Sequence, residues 1–283
     1  MRSLLALVFG AAALLAGLAT LPAAWTAHNV ASEGGYVSFT EPLAKDPSFN
    51  KTVAVAIGDS LISRSLVPEA IRPATSAALA TAALRISSAP GYLKAWDATQ
   101  RQSHRIMFDD PRKLPAELDR TDRLAVDLGP LGQFVVAQAT KDLPVQLAAP
   151  KQLIVSVGGN SSNSALDQIK KTPGWAGNGL IVTAVCVALC LVIARRRALA
   201  VALLGLGVVV LAAALHGLST AVIPNLTDRN TAPSPFAEAV VKAFADRAAT
   251  SFDHWLITLA VIGVIAAIAG GAVSLGFSAR SKA

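Results

Sequence analysis

Four long stretches of this 283-residue chain contain almost no charged side chains. A helix needs roughly 20 predominantly apolar residues to cross the hydrocarbon core of a bilayer, where every backbone polar group must be satisfied internally. The sequence therefore predicts a membrane protein with four α-helical transmembrane spans. The predicted spans are residues 1–25, 179–194, 198–223 and 255–277.

Positive charges mark the ends of these spans. Six cations occur in the tails and in the shortest connection with no acid among them, namely Arg2, Arg195, Arg196, Arg197, Arg280 and Lys282. The other members of the 25 Lys and Arg, with all 18 Asp and Glu, lie in the two longer segments. Short connections rich in Lys and Arg stay on the cytoplasmic side. The net charge of +7 is thus a topology signal, and we expect no nucleic-acid partner.

This rule predicts a multi-pass plasma-membrane protein with both termini in the cytoplasm. The turn 195–197 and the tail 278–283 would be cytoplasmic, whereas residues 26–178 and 224–254 would be extracytoplasmic. Amphipathic indole rings favour the headgroup zone, which makes the tryptophans near the predicted outer ends of spans interface anchors. These residues are Trp25, Trp175 and Trp255.

The first span also has features of a secretory signal peptide, since Leu21-Pro22-Ala23-Ala24 supplies small residues after an apolar run. Cleavage would leave three spans. The run is longer than the roughly 7 to 15 apolar residues of a usual signal core, which favours an uncleaved signal anchor.

Residues 26–178 predict an α+β extracytoplasmic domain. After a linker containing Gly34 and Gly35, Asp46 is a plausible cap for a helix with an apolar face, and a third helix is expected from Pro90 to Phe108. An Ala-rich helix is expected between them, after Pro73. Two β-prone segments, 124–128 and 152–157, predict a pair of strands. Short helices are expected at 131–140 and 164–171, the latter ending in Pro-Gly-Trp.

Residues 224–254 carry an apolar residue at every fourth position from Phe236 to Phe252, which indicates an amphipathic helix. Such a helix is not stable alone in water. We expect it to pack against the larger exposed domain or to lie along the membrane surface.

One cluster of residues has the chemistry of a catalytic site. His104 and Arg101 lie on the predicted third helix, and Asp109 and Asp110 follow it. An acid–base interpretation would pair His104 with one of these carboxylates. The structural alternative is favoured, because a single histidine beside arginines on an amphipathic helix is more often part of the fold. The chain contains no Gly-x-Ser-x-Gly or His-Glu-x-x-His motif.

Three histidines, His28, His216 and His254, are predicted to lie near the outer membrane surface. Three imidazoles could bind a transition metal or contribute to a haem site. The favoured alternative is that His28 and His254 are interfacial polar residues and that His216 hydrogen-bonds another helix. We therefore expect no metal and no cofactor.

Several short motifs make the chain resemble a family of uncharacterised actinobacterial integral membrane proteins. They are Tyr36-Val37, Glu41-Pro42-Leu43-Ala44-x-Asp46-Pro47, Trp96-x-x-x-x-Arg101-x-x-His104, Val126-Asp127-Leu128-Gly129-Pro130-Leu131 and Ala194-Arg195-Arg196-Arg197. The resemblance implies an N-terminal anchor, a large extracytoplasmic domain, three further transmembrane helices and location in the cell envelope. It implies no activity.

Because most residues outside the spans are expected outside the cell, the function is expected there. The favoured hypothesis is a non-catalytic scaffold or accessory subunit that binds a membrane or envelope protein while its helices contact the lipid bilayer. The alternatives are an envelope enzyme acting on lipid-linked or cell-wall substrates at the outer leaflet, and an extracytoplasmic ligand-sensing subunit.

Overall fold

The helices and strands divide between two compact units in the computed structural model. The structure describes residues 1–64, 85, 87–116, 118–139, 151–157, 162–229 and 234–280. The first unit, here called the apolar unit, comprises Met1–His28, Lys171–Asn225 and Ala248–Ala283. The second, here called the mixed unit, comprises Asn29–Lys170 and Leu226–Arg247.

Four helices of the described chain are long and apolar enough to cross a membrane, which confirms the four predicted spans. Continuous helix is the expected form, because each backbone N–H and C=O is then bonded within the segment. These helices are α1 (Arg2–Thr26), α6 (Ser162–Ile193), α7 (Arg197–Arg229) and α8 (Pro235–Arg280). A π-helical turn, Ala27–Ala31, follows α1.

The described part of the mixed unit contains four shorter α-helices. They are α2 (Glu33–Thr40), α3 (Pro47–Arg64), α4 (Tyr92–Phe108) and α5 (Gly129–Ala139). Asp46 caps α3 as predicted, since its Oδ1 accepts hydrogen bonds from the backbone N–H of Ser48 at 2.8 Å and of Phe49 at 3.1 Å. Gly91 precedes α4 with φ of 93°, a left-handed conformation that glycine adopts without strain.

The predicted strand pair is present but small. Strand β1 (Ala125–Asp127) pairs antiparallel with β2 (Ile154–Ser156), with Val126 opposite Val155. A two-stranded ribbon is marginal by itself and depends on the elements packed against it. The expected α+β domain is therefore not supported, because the only strands in the described part of the mixed unit are these two of three residues.

Two sequence features predicted breaks where the structure has helix. Gly34 and Gly35 belong to α2, because the hydroxyl of Ser32 caps the helix by accepting from the N–H of Gly35 at 3.1 Å. Pro173 lies inside α6, so the Pro-Gly-Trp sequence does not end that helix. Proline is tolerated in long apolar helices, where the environment supports the backbone groups it leaves free. The helix predicted after Pro73 lies outside the described residues.

The core of the mixed unit brings distant segments together. Trp96 of α4 and Ile57 of α3 are almost completely buried, and they share a hydrophobic cluster with Leu131 of α5. Phe236 and Val240, from the first turns of α8, belong to the same cluster. The amphipathic stripe therefore packs against the larger domain, one of the two predicted outcomes.

Candidate functional site

The histidine and the arginine considered for catalysis differ in burial, although they lie within one turn of each other on α4. His104 is 4% exposed and belongs to the buried face, whereas Arg101 and Arg105 are exposed. Buried positions repeat every three or four residues along this helix, as in Trp96, Gln100 and His104, which is the period of one helical face. His104 and Arg101 therefore have different surroundings and do not form a pair.

His104 is surrounded by aromatic rings and the backbone. Its ring stacks on that of Phe108, with centroids 4.4 Å apart and planes 12° from parallel, and lies 5.6 Å from the ring of Tyr36. Nε2 is 3.1 Å from the carbonyl oxygen of Ala31. A carbonyl oxygen only accepts hydrogen bonds, so Nε2 carries the proton and donates. The histidine thereby joins α4 to the segment that precedes α2.

The other ring nitrogen of His104 decides what the side chain can do chemically. Nδ1 is buried and makes no hydrogen bond. Burial lowers the pKa of His104, and the bond to Ala31 with the charges of Glu33 and Asp109 offsets only part of this fall. A general base must reach the proton that it removes. Neither nitrogen of His104 is open to a substrate in this conformation.

Glu33 is one of the charged groups that act on this histidine. Its Oε1 lies 3.0 Å from Nη1 of Arg101, and its Oε2 lies 3.1 Å from Nε of Arg105. Although burial alone would raise it, these hydrogen bonds hold the pKa of Glu33 below its usual range. Glu33 is in the first turn of α2, where the helix dipole also favours a negative charge. The carboxylate thus clamps α2 to α4.

The two acids after α4 do not complete an acid–base pair. Asp110 uses Oδ1 to accept from the backbone N–H of Arg112 at 2.9 Å, and so caps the short turn that follows. Asp109 acts on His104 only through its charge, and its own backbone N–H bonds to the carbonyl of Arg105 at 3.0 Å. The chemistry expected of a His–Asp dyad is therefore not assembled from these residues.

A buried carboxylate that the sequence analysis did not single out is Asp127. Its Oδ1 accepts from the backbone N–H groups of Gly129 at 2.9 Å and Leu153 at 2.7 Å. Its Oδ2 accepts from Nε2 of Gln102 at 2.8 Å. Buried polar groups are normally satisfied in this way. Asp127 therefore connects β1 to α4, α5 and the residues before β2. In the sequence, its burial was indicated by its position between the apolar residues Val126 and Leu128.

The three histidines considered as metal ligands have separate contacts. The ring of His28 lies 5.7 Å from that of Trp255, and Nδ1 of His254 is 2.7 Å from the carbonyl oxygen of Thr250. His216 bonds through Nδ1 to Oδ1 of Asp253 at 2.9 Å, a partner on another helix as expected. Among the described residues, no group of three or more His, Cys, Asp or Glu is arranged to hold a metal ion.

The three tryptophans differ in exposure. Trp175 is 54% exposed and Trp255 is 37% exposed, so both rings are available to a headgroup zone. Trp25 is buried, and its Nε1 donates to the hydroxyl of Ser251 at 3.3 Å while its ring meets that of Phe252 edge-on. Trp25 therefore contributes to packing within the apolar unit.

The charged residues used to predict topology are exposed where their side chains are described. Arg2, Arg195, Arg196 and Arg197 all belong to this class. Arg280 is the last residue of α8, and Lys282 lies outside the described residues.

These observations define the class of protein: a multi-span helical membrane protein whose second unit is a predominantly helical domain with a small β-ribbon. No known protein-family model matches the chain, and no curated protein or solved structure does so either.

Proposed function

We propose that this protein is a scaffold or accessory subunit of the cell envelope, and that it binds a membrane or envelope protein through its mixed unit. The supporting observation is how the reactive side chains of that unit are used. Glu33, His104 and Asp127 each bond to groups of the same unit, and the last two are almost completely buried. Side chains that are bonded within the fold in this way stabilise it and are not available to react with a substrate.

One cavity in the described part of the same unit is too small for a substrate. It is lined by Trp96, Gln100 and apolar side chains, and about 10 Å³ is open to the centre of a water molecule. This is close to the minimum space that holds one water. An enzyme acting on a lipid-linked or wall substrate needs a much larger cleft with several converging polar groups. This cavity is therefore too small to be such a cleft.

The proposed orientation places both termini in the cytoplasm and the mixed unit outside. It depends on the excess of cations in the tails and in the 195–197 turn. Single cysteines test it in a Cys186→Ala, Cys190→Ala background. An impermeant thiol reagent added to intact, wall-stripped cells should label Leu93→Cys and leave Ser3→Cys unlabelled. The reverse pattern would reject the extracytoplasmic function.

Photo-crosslinking tests partner binding at the surface of the mixed unit. Val55 and Leu93 are suitable sites because they are large apolar side chains that are 45% and 46% exposed. Arg112, an exposed polar position of the same unit, is the matched control. A crosslinking residue at 55 or 93 should capture the same partner reproducibly in native membranes, and the control should not. Recovery of the isolated chain from all three would contradict the proposal.

A further inference from the structure

The apolar unit contains a groove of about 700 Å³ between α1 and α7. Side chains of α1 from Ser3 to Leu14 form one wall, and those of α7 from Leu199 to Leu204 form the other. Cys190 of α6 also lines it. The end of the groove is the turn between α6 and α7, where Ala194, Arg195 and Arg196 contribute to the lining. The groove is therefore apolar along its walls and cationic at one end.

The walls have the polarity and the length that a hydrocarbon chain requires. The α1 wall includes the small residues Ala6, Gly10 and Ala11. Leu7 and Leu203, from opposite walls, are 68% and 57% exposed, so part of the apolar lining is accessible. Eleven helical steps along α1 span about 16 Å, which is roughly half of a hydrocarbon core of about 30 Å. The groove is as long as one leaflet is thick.

The cationic end has the chemistry of a phosphate site. Arg195 and Arg196 are exposed, and neither makes an ion pair within the part of the chain that the structure describes. A guanidinium group binds phosphate oxygens through two parallel hydrogen bonds. Two such groups at the end of an apolar groove can hold a phosphate while a hydrocarbon chain extends away from it.

We infer that this groove is a binding site for one anionic phospholipid of the leaflet that the turn faces. The phosphate would contact Arg195 and Arg196, and an acyl chain would lie between α1 and α7. Basic pockets between transmembrane helices are known to select anionic headgroups. The apolar walls alone would accept any lipid tail, and the arginines alone would attract any anion. Their combination selects a lipid that has both features.

Lipid titration of the purified full-length protein in mild detergent tests the headgroup contact. Binding of phosphatidylglycerol is compared with that of phosphatidylcholine by native mass spectrometry. The wild type should prefer the anionic lipid. Because each of these arginines would lose its charge-assisted hydrogen bonds to the phosphate, the preference should fall by at least about tenfold in the Arg195→Gln, Arg196→Gln variant. Arg197→Gln is the matched control, since Arg197 is the next residue and does not line the groove. It should retain most of the preference.

A second pair of variants tests the acyl-chain contact. Ala11 is an exposed lining residue of α1, so Ala11→Phe should fill the groove and weaken binding of phosphatidylglycerol. Leu15→Phe places the same ring at an exposed position of α1 outside the groove and should leave binding unchanged. Circular dichroism of each variant shows whether the helices are retained.

Three results would overturn the inference. One is an equal loss of preference in Arg197→Gln, which would indicate general surface attraction. Another is unchanged lipid binding in Ala11→Phe. The third is competition by soluble glycerol phosphate at the same concentration as the lipid, which would indicate a free-phosphate site without an acyl chain.

Discussion

Arg247 donates a hydrogen bond from Nε to the backbone oxygen of Phe39 at 3.0 Å, across a separation of 208 positions. Its guanidinium carbon also lies 5.9 Å from the centre of the Phe39 ring. One turn earlier on α8, Phe244 contacts the rings of Phe39 and Tyr36 at 6.0 and 6.1 Å. The first turns of α8 are therefore an integral part of the mixed unit, although most of the chain lies between them and α2.

Arg247→Gln is expected to destabilise the mixed unit. The change removes a charged hydrogen bond to a backbone carbonyl and a cation–π contact, which together are worth about 1 to 2 kcal/mol. Limited proteolysis of the full-length protein in detergent should show faster cleavage within the mixed unit. Lys242→Gln is the control, because Lys242 is exposed on the same helix. Equal proteolysis of the two variants would mean that the Arg247 contact contributes nothing to stability.

Glu33→Gln should make the stability of the mixed unit less sensitive to acid. The folded state lowers the pKa of Glu33, so its carboxylate stabilises the fold above the ordinary value of 4.5. That contribution is lost as the pH falls below 4.5 and through the lower pKa of the folded protein. Its size should not exceed about 1 kcal/mol, because both arginines are half exposed and solvent screens the pair. Thermal unfolding of the wild type and the variant between pH 3 and pH 7 measures the difference.

A double-mutant cycle separates this ion pair from other effects of the substitution. In an Arg101→Gln, Arg105→Gln background, Glu33→Gln should no longer change the acid sensitivity, because the groups that lower the pKa are gone. High salt should reduce the effect in the same direction. If the difference between wild type and Glu33→Gln persists in the background without the arginines, the clamp is not its cause.

The spans were predictable from the sequence because their signal is local composition. A long apolar run without charges is nearly sufficient to predict a spanning helix, and the structure has a helix at each of the four runs. Helix α4 was equally accessible, since apolar and polar residues alternate along it with helical period. The extent of the sheet was not, because β-prone segments of five or six residues retain only three paired residues each. The number that pair depends on neighbouring helices and not on strand propensity.

The contacts around the candidate site were not predictable for a different reason. Arg101 and Glu33 are 68 positions apart, and His216 and Asp253 are 37 apart, so no short motif contains either pair. Sequence proximity instead suggested Asp109 and Asp110 as partners of His104. The side-chain directions of α4 rule this out, because His104 belongs to the buried face and its nitrogen bonds to Ala31. Contacts that depend on tertiary packing can be identified only when the fold is known.

The wild type should lose stability in mild acid because of His104, and the His104→Phe variant should not show this loss. Burial depresses the pKa of His104 below 6.5, and the unfolded chain therefore binds a proton more readily than the folded one. The stability contributed by neutral His104 is present above pH 6.5 and is lost as the pH falls through the folded-state pKa. Above pH 6.5 the variant should be about 1 kcal/mol less stable, because the bond to Ala31 is absent. The difference in stability between the wild type and the variant should decrease below pH 6.5.

The same variant separates a structural histidine from a catalytic one. If His104 only supports the fold, envelope lipids and wall polymers should be unchanged in cells that contain His104→Phe at normal protein level. Loss of one defined envelope product, while the variant protein is present at its normal level, would instead favour the enzyme hypothesis. Thermal unfolding of the purified variant between pH 5 and pH 8 provides the independent structural readout. A stability difference that does not vary with pH would contradict the proposed protonation behaviour.

Two adjacent glycines of α8 provide a matched test of close packing in the apolar unit. A Cβ atom at Gly270 would lie 2.5 Å from the carbonyl oxygen of Ala198 and 2.6 Å from the backbone nitrogen of Ala202, both on α7. Because backbone atoms leave no room to adjust, Gly270→Ala should force α7 and α8 apart and destabilise the unit by about 1 to 3 kcal/mol. A Cβ atom at Gly271 meets nothing within 4 Å, so Gly271→Ala should be neutral or stabilise the helix by about 0.5 to 1 kcal/mol. The melting temperature in detergent, followed by circular dichroism, should therefore fall for Gly270→Ala and not for Gly271→Ala. Equal melting of the two would show that α7 and α8 do not approach as closely as Gly270 indicates.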